Sequence, residues 1–141
     1  MQARKSRFLY FIFLISQTPG EEKKLFHFNQ QRKMKPLRII FLGTSEFAIP
    51  SLKTLIESQH QVVAVVTTPD KPKGRGQKIS YSPVKEVALS YSIPILQPIQ
   101  LSNEIFIREL SHFQADVQVV VAFRILPHIV FQMPRLGTFN L

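Results

Sequence analysis

The clearest pattern in the chain lies in residues 37–76, where short apolar runs alternate with helical periodicity. Leu37 to Leu42 is apolar except for Arg38, and Gly43 follows where a strand entering a helix must turn sharply. Within 48–59, Leu52, Leu55 and Ile56 recur at i, i+3 and i+4, so one helix face packs on a sheet. Pro50 falls in the first turn, where its missing N–H does no harm. Residues 61–67 are β-branched on both faces, the pattern of a parallel strand covered on each side. The chain then enters a loop over 70–78. Pro69, Pro72, Gly74 and Gly76 punctuate it, which predicts no regular structure there.

The alternation continues downstream. Ser82 is placed to cap a helix, Pro83 suits its first position, and Val84, Val87, Ala88 and Tyr91 repeat with helical spacing. Residues 93–96 are short and bounded by proline, which predicts an edge strand. Ser102 is expected to cap a third helix, with Glu104 in its first turn and Phe106, Leu110 and Phe113 as its buried stripe. Residues 117–121 read as another buried strand, 126–131 as a short helical turn and 136–141 as a last strand. The fold class is therefore α/β, an open doubly wound (Rossmann-like) and mostly parallel sheet.

Residues 1–33 follow a different pattern. Arg4, Lys5 and Arg7 precede the apolar stretch 8–15, the order of a secretory signal, but no small-residue cleavage pair follows it. We read 1–33 as a leader outside the fold, with Met34 as the working start and 34–141 as the domain. No apolar run approaches the about 20 residues of a membrane-crossing helix. A length of 141 residues, 45% hydrophobic, suffices for one domain with a core. The absence of cysteine removes any disulfide framework, thiol nucleophile or cysteine metal site, and fits a reducing compartment.

Charge sharpens the picture at one place. The formal net charge of +9 divides into +6 over residues 1–36, eight basic side chains against two glutamates, and +3 over 37–141, ten against seven. Lys71, Lys73, Arg75 and Lys78, against Asp70, give the 70–78 loop +3 of its own. A localised cationic loop is what attraction to a phosphate backbone requires; it is also what a solvated surface loop looks like.

Several chemistries are excluded. Gly43 stands alone where a G-x-G-x-x-G fingerprint would be needed, and there is no Walker A, H-E-x-x-H or G-x-S-x-G pattern. His27, His60, His112 and His128 lack ligand spacing, so no metal site is expected. In open α/β sheets ligands bind beyond the carboxyl ends of the strands, where strand order reverses. Residues 122–127 and Asn140 occupy two such ends. Taken alone, Asn140 is a polar residue closing a strand.

The segments FLGTSEFAIPSL, VVTTPDKPKGRG, SPVKEVAL and VVVAFRILPHIVFQMPRLGTFNL together resemble the N-terminal domain of formyltetrahydrofolate-dependent transferases over residues 37–141. The similarity is greatest to the methionyl-tRNA formyltransferase family. It implies a cytoplasmic enzyme of translation initiation, monomeric at full length, that needs neither metal nor membrane. Such an enzyme transfers the formyl group of 10-formyltetrahydrofolate to the amine of initiator methionyl-tRNA. By the same resemblance Phe123, Arg124, Ile125 and Leu126 line the folate pocket, with main-chain groups near 124–126 meeting the pterin. Asn140 takes part in formyl transfer, and Lys71, Lys73, Arg75 and Lys78 meet the tRNA acceptor arm. Arg124 is either a partner for the folate's glutamate carboxylate or a solvated loop cation, since many relatives have an aromatic-glycine pair where this chain has Phe123-Arg124. The alternatives are formyl transfer to an amino sugar or nucleotide, and a catalytically dead RNA- or ligand-binding domain. The family's next histidine, its Ser-Leu-Leu-Pro loop, its later aspartate and its C-terminal barrel do not occur in this sequence. The resemblance therefore implies a fragment whose sheet is incomplete at its C-terminal end, leaving Val119, Val121, Phe139 and Leu141 partly uncovered as a patch that promotes association. Such a fragment is nearly inactive alone, because general acid–base assistance contributes roughly 10²–10⁴ in rate.

Overall fold

The computed structural model describes residues 35–141, so the expected leader lies outside the described residues. Strand β1 (Arg38–Gly43) runs through the middle of a five-stranded, wholly parallel sheet. On one side of it lie β2 (Gln61–Val66) and then β5 (Ile95–Leu96); on the other lie β6 (Val117–Val121) and then β7 (Thr138–Asn140). Strand order thus reverses between β1 and β6, the doubly wound arrangement that the alternation of patterns predicts. Register places Phe41 beside Val119 and Gly43 beside Val121, while the β1–β2 pairing shifts by one residue between Ile39 and Ile40.

Helices cover both faces. A 3-10 turn (Glu46–Ala48) leads into α1 (Ile49–Glu57), which buries Leu52 and Leu55, with Pro50 in its first turn. Helix α2 (Pro83–Ser90) packs beside α1 and buries Val84 and Ala88. Phe106 and Leu110 of α3 (Glu104–His112), with Val130 of α4 (His128–Phe131), pack against Ile40, Leu42, Ala64, Val66 and Val120. Each side chain of this size withdrawn from water contributes about 1.5–3 kcal/mol. The Ser82 hydroxyl accepts the Lys85 backbone N–H at 3.0 Å, as its capping position predicts. The cap of α3 is Asn103 rather than Ser102. Its Oδ1 accepts from the N–H groups of both Ile105 (2.9 Å) and Phe106 (3.3 Å), which the expected Ser102 stands one residue too early to do.

Two other expectations change. The basic stretch is not irregular: β3 (Lys71–Lys73) and β4 (Lys78–Ser80) form an antiparallel hairpin separate from the main sheet. Gly74 (φ 79°) and Gln77 (φ 47°) take the left-handed conformations its turn needs, and the Gln77 N–H donates to the Gly74 carbonyl at 3.2 Å. Pro72 is tolerated because both strands of a two-stranded ribbon are edges. Val119 and Val121, expected to be partly uncovered, are only 3% and 1% exposed, because β6 is interior, with β1 and β7 on either side. Leu141 and Phe139 do remain partly open to solvent. Among the described residues no helix is long and apolar enough to cross a membrane.

Candidate functional site

The switch point between β1 and β6 is built by two tight residues. A Cβ on Gly43 would stand 2.9 Å from Phe41 Cε1 and 3.0 Å from the Ala48 Cβ, so glycine is required there for close approach rather than for its backbone angle. Thr44 follows, its hydroxyl buried without a hydrogen-bond partner. Across the crevice Ala122 leaves β6 at φ 45°, a left-handed conformation that L-residues other than glycine adopt only at a cost. That turn swings residues 123–126 over the carboxyl edge of the sheet.

The expected folate-lining residues divide by what each does. Phe123 and Leu126 pack against the core beneath. Ile125 is 96% exposed. Arg124 is committed: its guanidinium donates to the carbonyls of Ile99 and Pro98, both at 2.9 Å, and lies 5.1 Å from the Phe123 ring centroid. It thereby ties the loop after β6 to the loop after β5. The main-chain N–H and C=O groups of Arg124, Ile125 and Leu126 enter no hydrogen bond among the described residues, so their donors and acceptors are left without a protein partner.

Asn140 closes β7, in register with Val120, and is exposed. The structure therefore brings Asn140 and residues 123–126 to the same edge of the sheet, at the ends of neighbouring strands. An uncommitted side-chain amide can donate to an oxygen on which negative charge develops.

The four predicted phosphate-binding cations gather in the hairpin. Lys71, Lys73 and Lys78 lie on one face of the ribbon, because Lys73 stands opposite Lys78 and Lys71 opposite Ser80. Pro72 and Ile79 form the other face, and Arg75 occupies the turn. The hairpin leaves the carboxyl side of β2, three strand positions from β7 and hence about 14 Å across the sheet from it. The root of this hairpin holds residues that sequence reasoning missed. The Lys85 ammonium beside Asp70, and then the Gln97 amide, hold the Asp70 carboxyl below its ordinary range. The Ser-Pro-Val-Lys helix entry puts Lys85 in view, but nothing in the sequence pairs it with Gln97. Among the described residues no group of three or more acidic or histidine side chains could hold a metal ion.

A doubly wound, wholly parallel α/β domain with Gly43 and Ala122 at the strand ends of its switch point, and a separate cationic hairpin following β2, is the class this geometry defines. Residues 37–141 match the family described as Formyl transferase, and the chain belongs to that family. It is 54% identical over 109 residues to the methionyl-tRNA formyltransferase of Bacteroides thetaiotaomicron, an alignment covering 77% of this chain and 34% of the relative. It is 56% identical over 108 residues to the enzyme of that name from Flavobacterium johnsoniae, with the same coverage, and 53% to that of Hydrogenovibrio crunogenus. The chain spans about a third of the length of these curated relatives.

Proposed function

We propose that this chain is the formyl-group-handling part of an enzyme that transfers the formyl group of 10-formyltetrahydrofolate to the amino group of initiator methionyl-tRNA. The observation that carries the reading is Asn140, an exposed and uncommitted amide at the carboxyl end of β7, beside the loop that leaves β6. Attack of an amine on a formyl carbon places negative charge on the formyl oxygen. An amide N–H₂ donating to that oxygen lowers the energy of the charge, and does so most once the bound substrates hold it in place. The main-chain groups at 124–126, without hydrogen-bond partners among the described residues, suit the pterin edge, and the Arg124 side chain holds their loop rather than reaching for a ligand. Lys71, Lys73, Arg75 and Lys78 supply a cationic surface for the tRNA backbone. The names of the relatives favour tRNA over an amino sugar or nucleotide as the acceptor.

The test is formyl transfer from 10-formyltetrahydrofolate, measured for this chain and for the complete gene product, with initiator methionyl-tRNA and with an amino sugar nucleotide as rival acceptors. The complete gene product is expected to formylate the tRNA and not the sugar, and this chain by itself to show little turnover with either. Asn140→Ala should lower kcat by roughly 10²–10³ while the KM for the folate changes little. Formylation of the sugar and not the tRNA would overturn the acceptor, and full activity in Asn140→Ala would overturn the role of the amide.

A further inference from the structure

Lys85 is a largely buried basic side chain to which the proposed function gives no task. Its side chain is only 12% exposed, and its ammonium donates to Asp70 Oδ2 at 2.6 Å and to Gln97 Oε1 at 3.0 Å. The same ammonium lies 4.1 Å from the centroid of the Tyr81 ring. Gln97 completes the ring of contacts, its Nε2 donating to Asp70 Oδ1 at 2.8 Å and to the Thr68 carbonyl at 3.0 Å. Every polar atom of the three side chains is thus used within the network.

The origin of these groups gives the network its meaning. Asp70 stands immediately before β3 and Tyr81 immediately after β4, so both roots of the basic hairpin converge on one ammonium. Lys85 belongs to the first turn of α2, a helix fixed by its own Ser82 cap and by the burial of Val84 and Ala88. Gln97 directly follows β5. A second tie lies beneath, where the hydroxyls of fully buried Thr67 and of Ser82 share a hydrogen bond of 2.7 Å. The sheet itself does not hold the hairpin, because β3 and β4 pair only with each other. Its direction must come from the root.

We infer that Lys85 is a positioning residue: through Asp70 and Gln97 it fixes how the cationic hairpin leaves the domain, and it is not itself a phosphate ligand. A hairpin held in its binding direction beforehand loses less freedom when it meets a polyanion, which is how preorganisation raises affinity. That benefit rests on the proposed RNA reading; the positioning role does not.

The experiment has two readouts on the full chain. Trypsin cleaves after Lys73, Arg75 and Lys78, so its rate at these sites reports how freely the hairpin opens, whatever it binds. Asp70→Asn and Lys85→Met should each accelerate cleavage there roughly fivefold, with cleavage elsewhere unchanged, and Lys85→Arg should recover most of the protection. Should Lys85→Met fail to fold, Gln97→Leu keeps the ion pair, removes three hydrogen bonds of the root and is expected to accelerate cleavage as well. Unchanged cleavage in Asp70→Asn and Gln97→Leu would overturn the inference. The second readout is affinity for initiator methionyl-tRNA. Asp70→Asn removes an anion from the edge of a cationic surface, so plain electrostatics predicts tighter binding, whereas loss of positioning predicts binding weaker by roughly fivefold with an unchanged salt slope. Tighter binding would overturn the inference. Faster cleavage in a protein that never binds tRNA would keep the positioning role and sink the RNA reading instead.

Discussion

At Gly43 one hydrogen atom decides whether the switch point closes. A methyl group there would meet the fully buried Phe41 ring and the Ala48 methyl, neither of which has room to retreat. Gly43→Ala should therefore cost about 1–3 kcal/mol, the usual range for overpacking. For a domain of this size the melting temperature should fall about 4–8 °C per kcal/mol. Ala122 carries the opposite constraint, a backbone angle rather than a shortage of space. Ala122→Val adds β-branching to a left-handed residue and should destabilise by about 1–2 kcal/mol, whereas Ala122→Gly should be tolerated; thermal melts of both variants check this. His60 gives a pH signature. Burial lowers its pKa below the ordinary value, and its neutral Nδ1 accepts the Leu37 N–H at 3.1 Å. Its contribution to stability is then complete above about pH 6.5 and is lost as pH falls through the lower folded value. A melting temperature that is flat above pH 7 and declines below 6.5, with a smaller decline in His60→Asn, is the expected result. Residues of this kind mark the limit of sequence reading. Asn140 enters the candidate site only through the family resemblance, and the partners of Arg124 are two main-chain carbonyls, which have no sequence signature. The tight fit around Gly43 depends on how the chain brings the Phe41 ring and Ala48 onto it, which sequence spacing does not reveal.

The elements were more legible than their ends and turns. Apolar periodicity locates α1, α2 and α3 because each buries one face, and continuous apolar runs locate β2 and β6 because both of their faces are covered. It fails at the cap of α3, where the choice between Ser102 and Asn103 turns on one residue of register. Asn103→Ala should cost about 1 kcal/mol in a thermal or urea melt, and Ser102→Ala almost nothing. Sequence reading fails more seriously at the hairpin, since prolines and glycines that normally break structure here build a turn between two edge strands. That hairpin carries an internal tension: Lys73 and Lys78 face each other across the strands, and like charges directly opposite are destabilising. Binding of a polyanion across this face would relieve the repulsion. Replacing Lys73 and Arg75 together by alanine should therefore weaken binding to initiator methionyl-tRNA and reduce the slope of log K against log salt by roughly 1.4–1.8, two contacts' worth. Titrations at three salt concentrations check it, and folate binding should not change.

For the whole molecule, the alternation of strand and helix patterns was enough to give the sheet, since parallel strands need crossovers and crossovers need helices. What no local pattern gives is the tie between distant strands at the amino edge of the sheet. Asp116 makes that tie: Oδ2 accepts the backbone N–H of Arg38 at 2.9 Å, Oδ1 accepts from Arg135, and its own carbonyl accepts the Leu136 N–H, so β1, β6 and the approach to β7 meet on one residue. The Arg38 N–H and then the Arg135 guanidinium hold its carboxyl below the ordinary range. The stability this gives is present above about pH 4 and lost as pH falls through the folded value, so Asp116→Asn should be less stable at neutral pH and less sensitive to acid. The strand order also has a consequence during synthesis. β1 is interior to the sheet, yet it emerges before any other described strand, and its contact with Asp116 spans 78 residues. At about 5–20 residues per second, translation leaves that edge of β1, with its apolar run, without its partner for roughly 4–16 s. Pairing of β1 with β2 can form during that interval because it is local, whereas β6 must close a far longer loop. A nascent chain of this order therefore passes through a half-sheet with one sticky edge, the kind of surface that ribosome-associated chaperones shield.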